Sequence, residues 1–178
     1  MSAAPQSGRK AAFLDRDGVL NVDRGYVHRL EDLEWIAGAQ AAVGRLGAAG
    51  YLVIVVTNQS GIGRGYYDQA ALDAVHAKMR TDFAAAGGRI DAFYACPFHP
   101  DAVEDRYRHP DHPDRKPNPG LILRGIKDWS VDPAASFLIG DKPSDLEAAR
   151  RAGIAGHMFR GGDLDALVRT ILDQTGLK

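Results

Sequence analysis

Apolar and polar positions along the 178-residue chain alternate between two rhythms. Short, nearly continuous apolar runs at Ala11 to Leu14, Tyr51 to Val56, Ile90 to Ala95 and Ser136 to Ile139 read as buried strands, with Ala155 to Phe159 a weaker fifth. Between them the apolar residues step at helical spacing: Ala42, Val43, Leu46 and Ala49, then Leu72, Val75, Met79 and Phe83. Asp68 is placed to cap the second of these helices and Gly87-Gly88 to stop it. Pro119, Pro143 and Asp163 mark further helix starts. Strands alternating with helices predict an α/β fold built on a doubly wound parallel sheet. Such sheets bind ligands beyond the carboxyl ends of their strands, and Asp15, Thr57 and Asp141 each fall at such an end.

The length predicts one domain, residues 10–178, after a flexible leader at 1–9. About 40 residues separate Asp15 from Thr57 and about 60 separate Thr57 from Lys116. Both gaps are filled by elements of their own, so no separate cap domain fits. A net charge of −1 gives no field for nucleic acid or an acidic membrane surface. No apolar run reaches the length of a membrane span, and Met1 to Lys10 lacks the apolar core of a signal peptide. Cys96 is the single cysteine, which excludes an intrachain disulfide and suits a reducing cytoplasm. A monomer is the expectation for assembly.

Candidate chemistry concentrates in four places. Asp15-Arg16-Asp17-Gly18 sets two carboxylates two residues apart where the first strand ends, and Gly18 suggests that the backbone turns there. Thr57-Asn58-Gln59-Ser60-Gly61 puts a hydroxyl at a strand end before backbone amides able to cradle an anion; an ordinary polar turn is the plain alternative. Arg115-Lys116-Pro117 brings fixed positive charge on a proline-stiffened loop, although such a pair is usually solvated. Gly140-Asp141-Lys142-Pro143-Ser144-Asp145 adds carboxylates at another strand end, where Asp141 could equally be a turn residue.

Taken together and in this order, the four motifs resemble those of haloacid dehalogenase (HAD) superfamily phosphatases. Within that superfamily the chain is similar to the D-glycero-D-manno-heptose 1,7-bisphosphate 7-phosphatase and histidinol-phosphatase group, from about Phe13 to Gly156. The resemblance implies a Mg²⁺-dependent phosphomonoester hydrolase of the capless type, acting on a small phosphorylated metabolite of carbohydrate metabolism. It assigns Asp15 as the nucleophile that forms an aspartyl-phosphate and Asp17 as the general acid–base. Thr57 and Lys116 hold the phosphoryl group, and Asp15, the backbone carbonyl of Asp17 and Asp141 hold the metal. Asp145 then positions Lys142 or a metal-bound water, or caps the helix after Pro143. Substrate contacts fall to Asp23, Arg24, Gly25, Tyr26, Asn58, Gln59, Ser60, Arg115 and Lys142, and Arg64 is a further candidate for a distal anion. Histidinol-phosphate phosphatase is the alternative activity, and a non-catalytic phosphate-binding interaction module is the alternative of another class.

The chain departs from this group in one loop. Many members bind a structural zinc there through Cys-x-His and Cys-x-Cys. Here Cys96 matches the first ligand, but Phe98 stands in place of the histidine and His112 and Asp114 in place of the later cysteines. Cys96 and His99 with His109 or His112 make a chemically feasible set. A lone cysteine among loop histidines is more usually a small buried residue, so zinc is disfavoured.

Overall fold

The computed structural model describes residues 8–175. Five strands form one parallel sheet: β1 (Ala11–Leu14), β2 (Leu52–Asn58), β3 (Ala92–Cys96), β4 (Phe137–Gly140) and β5 (Ala155–Met158), in the order β3-β2-β1-β4-β5. Both faces of a parallel sheet are buried, which is why β1 and β2 read as unbroken apolar runs. On one face Leu14, Val53 and Val55 pack under α1 (Ala39–Ala48), α3 (Gln69–Ala85) and α6 (Leu164–Gln174). On the other, Phe13, Ile54 and Leu138 pack under α4 (Gly120–Trp129) and α5 (Pro143–Ala152). A one-turn helix, α2 (Ser60–Gly63), follows β2 where the sequence suggests only a turn.

The capping signals hold. Asp68 accepts a hydrogen bond from the backbone N–H of Ala71, and Asp163 from that of Ala166. Residues 1–7 of the expected leader lie outside the described residues. Arg9, grouped with that leader by composition, is bonded into the fold: its N–H donates to Ser130 O at 3.0 Å, and its carbonyl accepts from Asp132 N at 2.9 Å. Among the described residues no helix is long and apolar enough to cross a membrane.

The chain runs from β1 outward to β2 and β3, then returns to build β4 and β5 on the other side of β1. The crevice at that reversal opens beyond the ends of β1 and β4. It receives Asp15 from β1, Thr57 from β2 and Asp141 from β4.

Between helix and sheet, His76 of α3 is 7% exposed and stacks on Phe93 of β3, with ring centroids 4.2 Å apart. Its Nε2 has no hydrogen-bond partner, and burial, helped by the charges of Arg16 and Arg80, holds its pKa down at about 3. An unfolded imidazole takes its proton near 6.5, so between those values the unfolded chain binds the extra proton. This contribution to stability is therefore complete above pH 6.5 and falls as pH drops toward 3, by on the order of 4 kcal/mol in all. His76→Phe, which keeps the stack and removes the titration, is expected to flatten the loss of stability between pH 6.5 and 4 in urea unfolding. Equal slopes in the two proteins would overturn this account.

Candidate active site

β1 ends by handing its ladder to the site: Asp15 N donates to Ile139 O at 3.0 Å, continuing the β1–β4 pairing. The backbone then turns tightly, with Leu20 N and Asn21 N both donating to Arg16 O. Gly18 has φ +88°, and a Cβ there would meet Asp141 Oδ2 at 2.2 Å. Its lack of a side chain serves both the turn and the approach of the β4 loop.

Lys116 is the cation of the site and is 4% exposed. Its Nζ lies 2.9 Å from Asp15 Oδ1 and 2.6 Å from Asp145 Oδ1, and donates to Val56 O at 2.9 Å. Three acceptors use all three ammonium hydrogens. Burial disfavours this charge, but Asp15 and Asp145 outweigh that and hold its pKa above the usual lysine range. Asp15 responds oppositely: burial raises its carboxyl, Lys116 pulls it back, and the Asp145 charge raises it again. Asn58 fixes the lysine's backbone by a reciprocal pair of 3.1 Å bonds, Nδ2 to Lys116 O and Lys116 N to Oδ1.

Asp17 sits beside Asp15 with both oxygens engaged. Oδ1 accepts from Arg16 Nη2 at 2.9 Å and Asn21 Nδ2 at 3.0 Å, while Oδ2 accepts from Gln59 Nε2 at 2.9 Å. Gln59 Nε2 also donates to Thr57 Oγ1 at 2.8 Å. Asp15, Asp17, Thr57 and Lys116 thus line one cavity of about 510 Å³.

Asp15, Asp141 and Asp145 bring carboxylate oxygens within 4.8 Å of one another, the only such group of His, Cys, Asp or Glu among the described residues. Three carboxylates outnumber the buried Lys116 and the half-exposed Lys142 beside Asp141, which leaves residual negative charge, and Asp141 Oδ1 is buried with no partner. An all-oxygen set with an orphaned oxygen and that residual charge fits a hard divalent cation such as Mg²⁺. Asp145 joins this group, whereas the carboxylate of Asp17 is turned to Arg16, Asn21 and Gln59.

Comparison with known proteins agrees with this geometry. A HAD-hydrolase-like family model matches residues 114–170. The D-glycero-beta-D-manno-heptose-1,7-bisphosphate 7-phosphatase of Rhodopseudomonas palustris is 46% identical, over 96% of this chain and 93% of that one. The alpha-anomer enzyme of Burkholderia mallei is also 46% identical, over 82% of this chain and 76% of its own. The crystal structure of the D,D-heptose 1,7-bisphosphate phosphatase from B. bronchiseptica, complexed with magnesium and phosphate, superposes with a TM-score of 0.80. It is 33% identical and covers 93% of this chain and 99% of that one. The chain belongs to the HAD phosphatases. Magnesium is accordingly the metal that the carboxylate group suits.

The phosphatase's other expected contacts divide into two sets. Asp23, Gly25, Tyr26, Ser60, Arg115 and Lys142 line the cavity. Asp23 is held in place by Lys142 Nζ at 3.2 Å and by the N–H of Gly25. Arg24 is not in the lining; it is exposed and paired with Glu34. Asn58 and Gln59 reach the cavity, but their amides are spent on Lys116, Asp17 and Thr57. Three residues that the sequence did not single out contribute: Arg16, Asn21 and Tyr67. Arg16 is fully buried, and its place between two aspartates at a strand end is the one signal that could have pointed to it.

The loop where the family's zinc ligands would lie is held differently here. Cys96 is buried at the end of β3, and among the described residues no group of three His, Cys, Asp or Glu ligand atoms gathers around it. Phe98 stacks on His112 with centroids 3.6 Å apart and planes 4° from parallel, and Asp114 pairs with Arg124. Nε2 of His99 faces Arg64 Nη2 at 3.0 Å. The residues at the four ligand positions therefore do not fit zinc; a stacked pair and an ion pair occupy their place. Purified protein is expected to hold well under one zinc per chain after dialysis, and Cys96→Ser to cost little activity. Stoichiometric zinc by elemental analysis, lost together with activity in Cys96→Ser, would overturn this.

Proposed function

We propose that this phosphatase removes the 7-phosphate of a D-glycero-D-manno-heptose 1,7-bisphosphate through an aspartyl-phosphate on Asp15. The observation that carries the reaction is Asp15 in the cavity, 2.9 Å from a buried lysine and next to a second, separately held carboxylate. The substrate rests on relatives that carry this activity in their names and match over most of the chain.

Asp15 Oδ1 accepts from Arg16 N at 2.8 Å and faces Lys116, so Oδ2 is the oxygen left to attack phosphorus. Asp17 protonates the departing sugar oxygen as the P–O bond breaks, then takes a proton from the water that cleaves the acyl-phosphate and frees Asp15. Thr57 Oγ1 spends a lone pair on Gln59, which leaves its hydrogen for a phosphoryl oxygen. Lys116, with every hydrogen committed, neutralises Asp15 and Asp145 in place. Asp15, Asp141 and the Asp17 carbonyl, with Asp145 beside them, would hold magnesium, which would supply charge neutralisation for the phosphoryl oxygens.

Arg115 favours a bisphosphate over histidinol phosphate. It lines the cavity half-buried and, among the described residues, pairs with no carboxylate. Burial, aided by the nearby charge of Arg64, destabilises its guanidinium, so a facing anion is favoured and an ammonium group is not. The intact Asp15, Asp17, Thr57 and Lys116 speak against a non-catalytic phosphate-binding module. A free, buried Cys96 supports the cytoplasm as the site of action.

Asp15→Asn is expected to abolish phosphate release while the fold survives, and BeF₃⁻ with Mg²⁺ to trap an acyl-phosphate mimic on wild-type Asp15. A panel of kcat/KM values should rank heptose bisphosphates above histidinol phosphate and simple sugar monophosphates. Turnover in the Asn variant would sink the covalent route, and a preference for histidinol phosphate would sink the substrate.

Chelation is expected to stop the reaction and Mg²⁺ to restore it. Ca²⁺ should do so poorly because of its looser coordination. Asp141→Ala should raise the Mg²⁺ needed for half-maximal rate by roughly tenfold or more, as one of few protein ligands is lost. Full activity in excess chelator would refute the metal's role.

A further inference from the structure

Asp17 is held on both oxygens by side chains that are themselves braced. Arg16 is wholly buried, and its Nη2 serves two acceptors: Asp17 Oδ1 at 2.9 Å and Val27 O at 2.7 Å. On the other side Gln59, 2% exposed, gives one amide hydrogen to Asp17 Oδ2 and the other to Thr57. The orientation of that amide is set at its other end, because Tyr67, which also lines the cavity, donates its hydroxyl hydrogen to Gln59 Oε1. Burial keeps the Tyr67 phenol up at about 12, so it remains a donor at any working pH. Without it the amide could turn over and set a carbonyl oxygen against the Asp17 carboxylate.

The local backbone is cut to admit this ring. A Cβ on Gly61 would meet Tyr67 Cε1 at 2.1 Å, so a side chain at 61 would expel the tyrosine. Tyr67 also stacks on His28, with centroids 4.8 Å apart and planes 6° from parallel, and His28 Nδ1 lies 2.6 Å from Tyr26 O. Both braces therefore end on the segment 26–28, next to the loop that lines the cavity.

We propose that Arg16, and Tyr67 acting through Gln59, are positioning residues that fix the Asp17 carboxyl for proton transfer and tie it to the substrate-facing loop. This rests on the reading of Asp17 as the general acid–base. Oδ1, with two donors, is saturated by the brace; Oδ2, with one, is the oxygen that gives its proton to the leaving oxygen and later takes one from water.

The test is a double-mutant cycle read on two substrates. Values of kcat/KM, which report the steps through leaving-group release, are measured for a heptose bisphosphate and for p-nitrophenyl phosphate, whose phenolate needs little protonation. Tyr67→Phe removes one oxygen and is expected to cost about tenfold or more on the sugar substrate and under about threefold on the aryl ester. In an Asp17→Asn background the same change should cost under about twofold, since residues acting as a unit are non-additive. Arg16→Lys should follow the same pattern if it folds, with Tyr67→Phe carrying the test if it does not. A Tyr67→Phe loss that is equal on both substrates, or undiminished in the Asp17→Asn background, would overturn the brace and mark Tyr67 as a substrate contact or a packing residue. If Asp17→Asn alone loses equally on both substrates, it is the acid–base reading that fails.

Discussion

An ammonium group held at 4% exposure is tolerable only when each of its hydrogens meets an acceptor and its charge is matched, and the catalytic edge of this phosphatase is arranged around that requirement. The Nζ of Lys116 joins Asp15 at the end of β1, Val56 O in β2 and Asp145 at the start of α5. Three segments far apart in sequence are pinned by one cation. Asn58 then locks the lysine's own backbone, so the loop cannot drift without breaking the set. The same contacts leave carboxylate charge in excess of the lysine, and that surplus suits the crevice to a divalent ion. Loss of Lys116 would therefore unbalance a buried cluster as well as a reaction.

The fold was readable because a parallel sheet buries both faces, so its strands and helices differ in period and in length. Strand starts were less well marked. Tyr51 and Ile90 are apolar and buried but precede the ladders, which begin at Leu52 and Ala92. The short α2 was missed because Ser-Gly-Ile-Gly carries turn chemistry and no apolar period. In the site, the strand-end residues were legible from their place. The direction each side chain takes was not. Asn58 and Gln59 look from sequence like ligand contacts, and the structure gives their amides to Lys116 and Asp17 instead. Arg24 looks equally polar and equally near, yet faces Glu34. A one-dimensional pattern marks the end of a strand but does not say which of two polar neighbours turns inward.

The loop after β3 shows how a departure from a family pattern becomes intelligible once side chains are placed. Phe98 and His112 serve each other, since a phenyl ring facing a cysteine would have no stacking partner, whereas facing an imidazole it has one at 3.6 Å. Asp114 in turn finds Arg124 of α4. Arg115 follows directly in this loop, with Nη1 on Phe98 O at 3.2 Å, so the stack sets the position of a cavity-lining cation. Packing and an ion pair thereby hold the loop at the positions where the resemblance implies metal ligands.

In the proposed mechanism Asp17 is the acid–base, and its immobilisation comes from its own neighbours. A free aspartate samples several rotamers, and proton transfer needs one of them. Here Asp17 is gripped on both oxygens, and each grip has a support of its own: Arg16 the carbonyl of Val27, Gln59 the hydroxyl of Tyr67. Support of this depth consumes buried polar groups, and Arg16 carries Nε and Nη1 with no protein partner. A fully buried guanidinium with two unpaired nitrogens is costly, and an apolar residue at 16 would relieve that cost and release Asp17. Its presence between the two aspartates makes sense if the order it imposes on the reaction outweighs what it takes from stability.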